Sequence, residues 1–305
     1  MLIMKSRCES LELRILRSLN ARMNLPAKDK NHLDYLKKGF EGELMFDEWM
    51  TDKAHNGLIL NDLLLETNRS LYQIDSLYIS LNKIFLFEVK NYEGDYFIEG
   101  DQWFSSSSLE IKNPLHQLKR SELLFRRLLK EHHFTFSVAA YLVFINPEFQ
   151  LYQTPLNLPI IFPSQLNRFA DTLEKKSNPL KESHSGLAHK LLSLHQDDSP
   201  YSRLPNYSYD QLNKGILCPK CFSFYTPLTK MRLICKNCKG IEGQQSAVLR
   251  SIEEFKILFP KSNITTNQIY DWCSVIDTKK TIWRILSQKF NKEGHGKSAN
   301  YGELL

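Results

Sequence analysis

The stretch Ile84-Phe85-Leu86-Phe87-Glu88-Val89-Lys90 constrains this chain more than any other. Alternation puts Ile84, Leu86, Glu88 and Lys90 on one face and Phe85, Phe87 and Val89 on the other, so both faces are apolar, as in a central buried strand. A carboxylate there is costly unless a cation, a metal or hydrogen bonds compensate it. The preceding run poses the same problem: in Gln73-Ile74-Asp75-Ser76-Leu77-Tyr78-Ile79, Asp75 shares a face with Leu77 and Ile79. Only a few residues separate the two runs, so they can pair as a hairpin that draws Asp75 toward Glu88. Two carboxylates and an ammonium make an oxygen-rich pocket suited to Mg²⁺ or Mn²⁺. For a bare E-x-K, a plain ion pair between Lys90 and an acidic neighbour is the competing explanation.

The surrounding pattern is α/β. Ser10 to Met23 reads as a helix with Leu11, Ile15, Leu16 and Leu19 on one stripe, separated by Pro26 and a charged run from a second helix over about Leu33 to Trp49. Strand character follows over Leu58–Glu66, Tyr72–Leu81, Ile84–Lys90 and Tyr96–Ser105, with turn signals at Asn82 and at Glu93-Gly94-Asp95. Helix resumes after Pro114 and runs to about His132, then Phe136–Ile145 returns to strand. A short apolar run, Leu158–Phe162, and helices over Ser164 to Lys175 and Leu187–Leu194 complete an expected domain of residues 31–195 behind an N-terminal helix in 1–30. That order predicts a mixed β-sheet flanked by helices. His116, His132, His133 and Ser105–Ser108 read as surface, cap or loop residues, and Trp103 as a packing residue.

Several motifs fall in a set order on this frame. Gly39-Phe40-Glu41-Gly42-Glu43 opens the preceding helix, Gln73-Ile74-Asp75 and Phe87-Glu88-Val89-Lys90-Asn91 lie on successive strands, and Gly94, Trp103 and Asn113-Pro114-Leu115-His116-Gln117 follow. The set resembles the nuclease-related domain (NERD), a branch of the PD-(D/E)xK nuclease superfamily, over about Lys37 to Ile145. The resemblance implies that Asp75 and Glu88 hold Mg²⁺ or Mn²⁺ and that Lys90 helps activate water. It matches Glu43 to an auxiliary acid and Gln117 to a polar helper. It also implies phosphodiester hydrolysis leaving 5′-phosphate and 3′-hydroxyl ends. Two departures stand out: Ser76 follows the Asp where the family often has His, and the first motif lacks the proline of the superfamily's name.

The second constraint lies near the other end. Cys218-Pro-Lys-Cys221 and Cys235-Lys-Asn-Cys238 form two C-x2-C pairs with thirteen residues between them. Paired knuckles of this kind wrap four thiolates around Zn²⁺, with Zn–S near ~2.3 Å, and leave no open position for water. A redox C-x-x-C explains one pair less well than zinc explains two. The expected divisions are thus a polar linker at 196–213, a four-cysteine zinc ribbon at 214–243 and a C-terminal domain at 244–305.

That last domain predicts a helix over Ser246 to Phe259, a second capped by Thr265 with Gln268 three residues on, and a third capped by Asp277. The third carries Ile282, Ile285, Leu286 and Phe290 on its apolar stripe. The pattern resembles a winged helix-turn-helix, with Lys292–Tyr301 as the wing. In that arrangement Lys279, Lys280 and Lys289 meet phosphates while Arg284 and Gln288 reach base edges. A small three-helix unit with a solvated basic face is the plainer alternative.

Charge agrees with a division of labour. The 305 residues carry a net +6, but from Gln211 onward there are 15 Lys+Arg against 7 Asp+Glu, a surplus of +8, and the preceding 210 residues sum to −2. A basic end on a near-neutral body fits a polyanion partner, DNA first and RNA second. With 42% hydrophobic and 24% charged residues the chain is neither disordered nor a disulfide scaffold. No run approaches the roughly 18 apolar residues of a membrane span, and no clean signal-peptide core opens the chain, so a cytoplasmic protein is expected. Taken together the sequence favours a Mg²⁺-dependent DNA endonuclease or nickase. A nucleic-acid-binding or regulatory protein with a weakly active nuclease-like domain is the rival, and a zinc-ribbon adaptor accounts for the cysteines alone.

Overall fold

The structure, a computed structural model, describes residues 2–54, 56–173, 180–196, 203–294 and 300–304. Its elements in chain order are β1 (Leu2–Lys5), α1 (Leu11–Arg22), α2 (Ala27–Lys53), β2 (Leu58–Thr67), β3 (Ser70–Ile79), β4 (Ile84–Lys90), β5 (Gly94–Glu99), β6 (Gln102–Ser105), β7 (Glu110–Ile111) and α3 (Pro114–Glu131). There follow β8 (Val138–Phe144), β9 (Phe149–Tyr152), β10 (Ile160–Ile161), α4 (Leu166–Leu173), α5 (Glu182–Leu194), β11 (Tyr225–Thr229), β12 (Arg232–Cys235), β13 (Ile241–Gly243), α6 (Gln244–Leu258), α7 (Thr266–Cys273), α8 (Lys279–Lys289), β14 (Phe290–Glu293) and β15 (Asn300–Leu304). Two compact units emerge: Met1–Glu9 with Tyr35–Tyr201, and Ser10–Asp34 with Ser202–Leu305. Among the described residues no helix is long and apolar enough to cross a membrane.

In the first unit six strands form a mixed sheet in the order β1-β2-β3-β4-β8-β10. β2, β3 and β4 pair antiparallel, while β1, β8 and β10 join in parallel. β4 lies between β3 and β8, and Ile84 to Val89 are all buried. Its two faces go to two cores, as a period of two requires. Ile84 and Leu86 pack with Leu118, Phe125 and Leu128 of α3 and Leu187 and Leu191 of α5. Phe85, Phe87 and Val89 pack with Phe46 and Met50 of α2 and Leu166 of α4. Trp103 is 1% exposed in the first of these cores, a packing residue as expected. A smaller sheet, β7-β6-β5-β9, completes the unit.

The departures from expectation have local causes. Pro26 does not hold the second helix off until Leu33; its carbonyl accepts the N–H of Lys30 and α2 starts at once, with the charged run forming its first turns. Glu43 therefore lies well inside α2 rather than at its opening. The expected strand over Tyr96–Ser105 is a hairpin, broken where Gly100 takes φ +63°. β1, with Leu2 57% and Ile3 44% exposed, has too few residues and too little alternation to be read from sequence.

In the second unit Arg22 is fully buried: it forks onto Glu254 of α6 at 2.9 and 2.8 Å, donates to the carbonyls of Asn213 and Gly215, and lies 3.9 Å from the Trp272 ring centre. β11, β12 and β13 form an antiparallel sheet, and α6, α7 and α8 precede the antiparallel pair β14–β15. Thr265 caps α7 by accepting from Gln268 N–H, as expected. The cap of α8 is Thr278 rather than Asp277, its hydroxyl accepting from Thr281 N–H. Ile282, Ile285, Leu286 and Phe290 are all buried. Lys175, Asp197, Asp198 and Pro200, and the His295-Gly296 tip of the expected wing, lie outside the described residues.

Gly42 in α2 marks a close approach: a Cβ there would fall 2.3 Å from Asn91 Cβ, and Asn91 is itself tied to the Lys38 carbonyl and to Asn146. Gly→Ala usually stabilises a helix. Here the sign should reverse, with Gly42→Ala lowering stability by about 1–3 kcal/mol in a urea titration.

Candidate functional site

The site forms where two ladders open together. Between β3 and β4, Ser76 faces Phe87 and Leu77 faces Leu86; one step on, Asp75 and Glu88 leave the ladder. Asp75 Oδ2 instead accepts the Val89 N–H at 2.8 Å, so a side chain takes the place of a main-chain partner. Between β2 and β3 the pairing runs from Leu58 opposite Ile79 to Thr67 opposite Ser70 but skips Asp62 and Asp75, where Asp62 takes φ +55°. A non-glycine residue at positive φ is uncommon and points to local constraint.

Lys90 Nζ donates to Glu88 Oε1 at 2.6 Å and to Gln117 Oε1 at 3.4 Å. Gln117 is delivered by the first turn of α3, which starts at Pro114 under the Asn113 cap (Leu115 N–H to Asn113 Oδ1, 2.9 Å). Glu88 is 1% exposed, and among the described residues its second oxygen, Oε2, is buried without a hydrogen-bond partner. Ser76 donates its hydroxyl to Asn61 Oδ1 at 2.8 Å in a buried pair.

Glu43 joins through a residue that the sequence alone does not single out. Arg7, two residues beyond β1 and 1% exposed in its side chain, forks onto both oxygens of Asp47 at 2.9 Å and donates to Glu43 Oε2 at 2.8 Å and to the Asp75 carbonyl at 2.7 Å. Arg7, Asp47 and Asp62 carry no local signal, because their roles depend on pairing across the sheet. Among the described residues, the acids do not converge as three ligand groups within one small sphere; the pair Asp75–Glu88 with Lys90 is the close constellation.

Burial governs the electrostatics. It pushes the Glu88 carboxyl up to about 8, with the Asp75 charge adding to the effect and Lys90 opposing it. Glu43 rises to about 8 for the same leading reason, against the pull of Arg7. Asp75 is also raised by burial, although Lys90, the Val89 N–H and Arg7 favour its charged form. Burial opposes the Lys90 cation, but Glu88 and Asp75 outweigh it and hold the ammonium above its usual range. Buried acids that raise one another in this way favour added positive charge.

In the second unit all four sulfurs of Cys218, Cys221, Cys235 and Cys238 lie within 4.8 Å of one another. The two knuckles repeat one geometry. Phe222 N–H donates to the Cys218 carbonyl and Lys239 N–H to the Cys235 carbonyl, each at 2.9 Å, with Phe222 at φ +57° and Lys239 at φ +60°. The Ser223 N–H helps lower the Cys221 thiol to about 6, whereas the Gly240 N–H is outweighed at Cys238, where hydrogen bonding among the neighbouring sulfurs raises the thiol to about 11. The cluster sits against the β11–β12 hairpin, compatible with a zinc ribbon.

On α8, Lys279, Lys280, Arg284 and Gln288 are exposed, and Lys279 donates to Asn267 Oδ1 of α7 at 2.9 Å. Trp283, 49% exposed on the same helix, is an addition to the expected surface.

Residues 38–145 match the family model of the nuclease-related domain. No curated protein and no solved structure matches the chain. The chain thus carries a nuclease-related domain, spanning β2 to β8 and most of α2 and containing Glu43, Asp75, Glu88, Lys90 and Gln117.

A carboxyl held above its ordinary value keeps a proton in the folded state that it releases on unfolding. Its effect on stability is absent below about 4.5 and grows unfavourable as pH rises to about 8. Without added metal the first unit should therefore melt several degrees lower near the top of that window than near the bottom. Glu88→Gln should flatten this dependence in calorimetric melts across pH.

Proposed function

We propose that this protein is a metal-dependent nuclease that hydrolyses DNA phosphodiester bonds, as an endonuclease or nickase, with C-terminal modules that engage the nucleic acid. The observation that carries the reading is the buried Glu88 carboxylate, one oxygen on Lys90 and the other without a partner among the described residues, beside the buried Asp75. A hard, oxygen-preferring divalent cation suits such donors. Asp75 and Glu88 would hold Mg²⁺ or Mn²⁺, which when bound polarises a phosphodiester and lowers the pKa of a water. Lys90 orients the attacking water and offsets negative charge in the transition state. Gln117 helps fix the Lys90 ammonium, and Glu43 is the auxiliary acid.

The four cysteines would hold Zn²⁺ with no open position, a structural role that stabilises the ribbon. The exposed face of α8 would meet DNA, Lys279 and Lys280 at phosphates and Arg284 and Gln288 at base edges.

Cleavage of supercoiled plasmid with Mg²⁺ or Mn²⁺, abolished by EDTA and lost in Asp75→Ala, Glu88→Ala and Lys90→Ala, is the expected result. If Glu88→Ala cuts as the parent does, the site assignment fails; a parent that binds DNA without cutting favours the regulatory, weakly active reading. Elemental analysis should give one zinc per chain, lost in Cys235→Ser. The Lys279→Ala, Lys280→Ala double variant should bind DNA more weakly and reduce the salt slope by about 2 units.

A further inference from the structure

The family match begins at residue 38, yet one side chain that fixes the main chain of Asp75 comes from residue 7. Asp75 is unpaired toward Asp62 on one flank and toward Glu88 on the other. A break of that kind leaves main-chain polar groups to satisfy, and each costs free energy if buried alone. The N-terminal segment supplies the partners. Lys5 Nζ donates to the Asn61 and Asp62 carbonyls at 3.0 and 2.9 Å, and Arg7 Nη2 donates to the Asp75 carbonyl at 2.7 Å. The rest of the Arg7 fork is anchored on α2 through Asp47 and Glu43, so its geometry is set from three directions. β1 delivers both residues by pairing in parallel with β2, Leu2 opposite Leu58 and Ile3 opposite Ile59.

We propose that Arg7 is a positioning residue of the metal site, holding the broken ladder so that Asp75 and Glu43 are presented in a fixed place, and that the segment before the family-matched region completes the site. The proposal rests on the metal-dependent reading of Asp75 and Glu88. Arg7 itself is buried and fully engaged, so it acts through Asp75 and Glu43 rather than on substrate. Lysine keeps the charge but cannot reproduce a fork that reaches three partners.

Electron paramagnetic resonance titration of Mn²⁺ on the full chain measures metal binding without reference to activity, and circular dichroism melts report folding. Ile3→Ala, which trims β1 but leaves the fork, should bind Mn²⁺ as the parent does. Arg7→Gln should bind about 10-fold or more weakly, the usual loss when an outer partner of a metal ligand is removed, with Arg7→Lys between. In cleavage, the half-saturating metal concentration should rise while KM for DNA holds. Parental Mn²⁺ affinity in folded Arg7→Gln, or in Arg7→Lys if Arg7→Gln does not fold, overturns the proposal. Glu88→Ala binding Mn²⁺ like the parent, or a parent that binds none, is a different failure: it removes the metal reading and this proposal with it.

Discussion

Glu88 is held in a strand sealed on both faces, and most of the first unit is arranged around the cost of keeping it there. Burial alone would leave such a group protonated or unfold the strand. Its neighbours answer with Lys90 from the same strand, itself held by Gln117 of α3, while Asp75 across the hairpin adds to the cost. Arg7 adds a second cation but brings Glu43 and Asp47 with it. Four carboxyl groups thus lie around two cations, and part of the imbalance is met by protons, burial holding Glu43 and Glu88 up to about 8. A cluster of buried acids held above their ordinary range is costly on its own terms.

The second unit meets a similar problem with a different outcome. Arg22 is as deeply buried as Arg7, but Glu254 takes its fork, two carbonyls take the remaining donors, and Trp272 covers the ring face. Each donor of Arg22 has a counterpart, so nothing at that position asks for a ligand. Arg22 ties α1 to α6 and the residues entering the ribbon, a structural use of the same side chain. What separates the two arginines is the surplus of acid around Arg7.

Legibility followed the range of the interaction. β4 was readable to the residue because alternation inside seven positions fixes its two faces, and Asp75, Glu88 and Lys90 came with it. The place of Gln117 was readable because Asn113-Pro114 sets the start of α3 and counts it to the first turn, while its role came only from the family resemblance. The apolar stripe of α8 and the twin knuckles are equally local. Arg7, Asp47 and Asp62 were hidden, since each acquires its role only when β1, α2 and β3 meet. The start of α2, well ahead of the expected Leu33, and the cap of α8 at Thr278, beside the expected Asp277, are smaller departures.

That pattern bears on what the functional unit is. The matched region supplies Asp75, Glu88 and the two strands that carry them, but it does not close its own sheet. β10 pairs with β8 from residues 160–161, and Leu166 of α4 and Leu187 and Leu191 of α5 seal the two faces of β4 from beyond residue 145. On the other edge, β1 covers β2 and sends Lys5 and Arg7 into the break beside Asp75. A carboxylate buried without these layers would meet water, and the pressure that raises Glu88 and Asp75 would fall away. The motif marks where the buried acids sit, and the segments on either side of it create the dry environment that raises them.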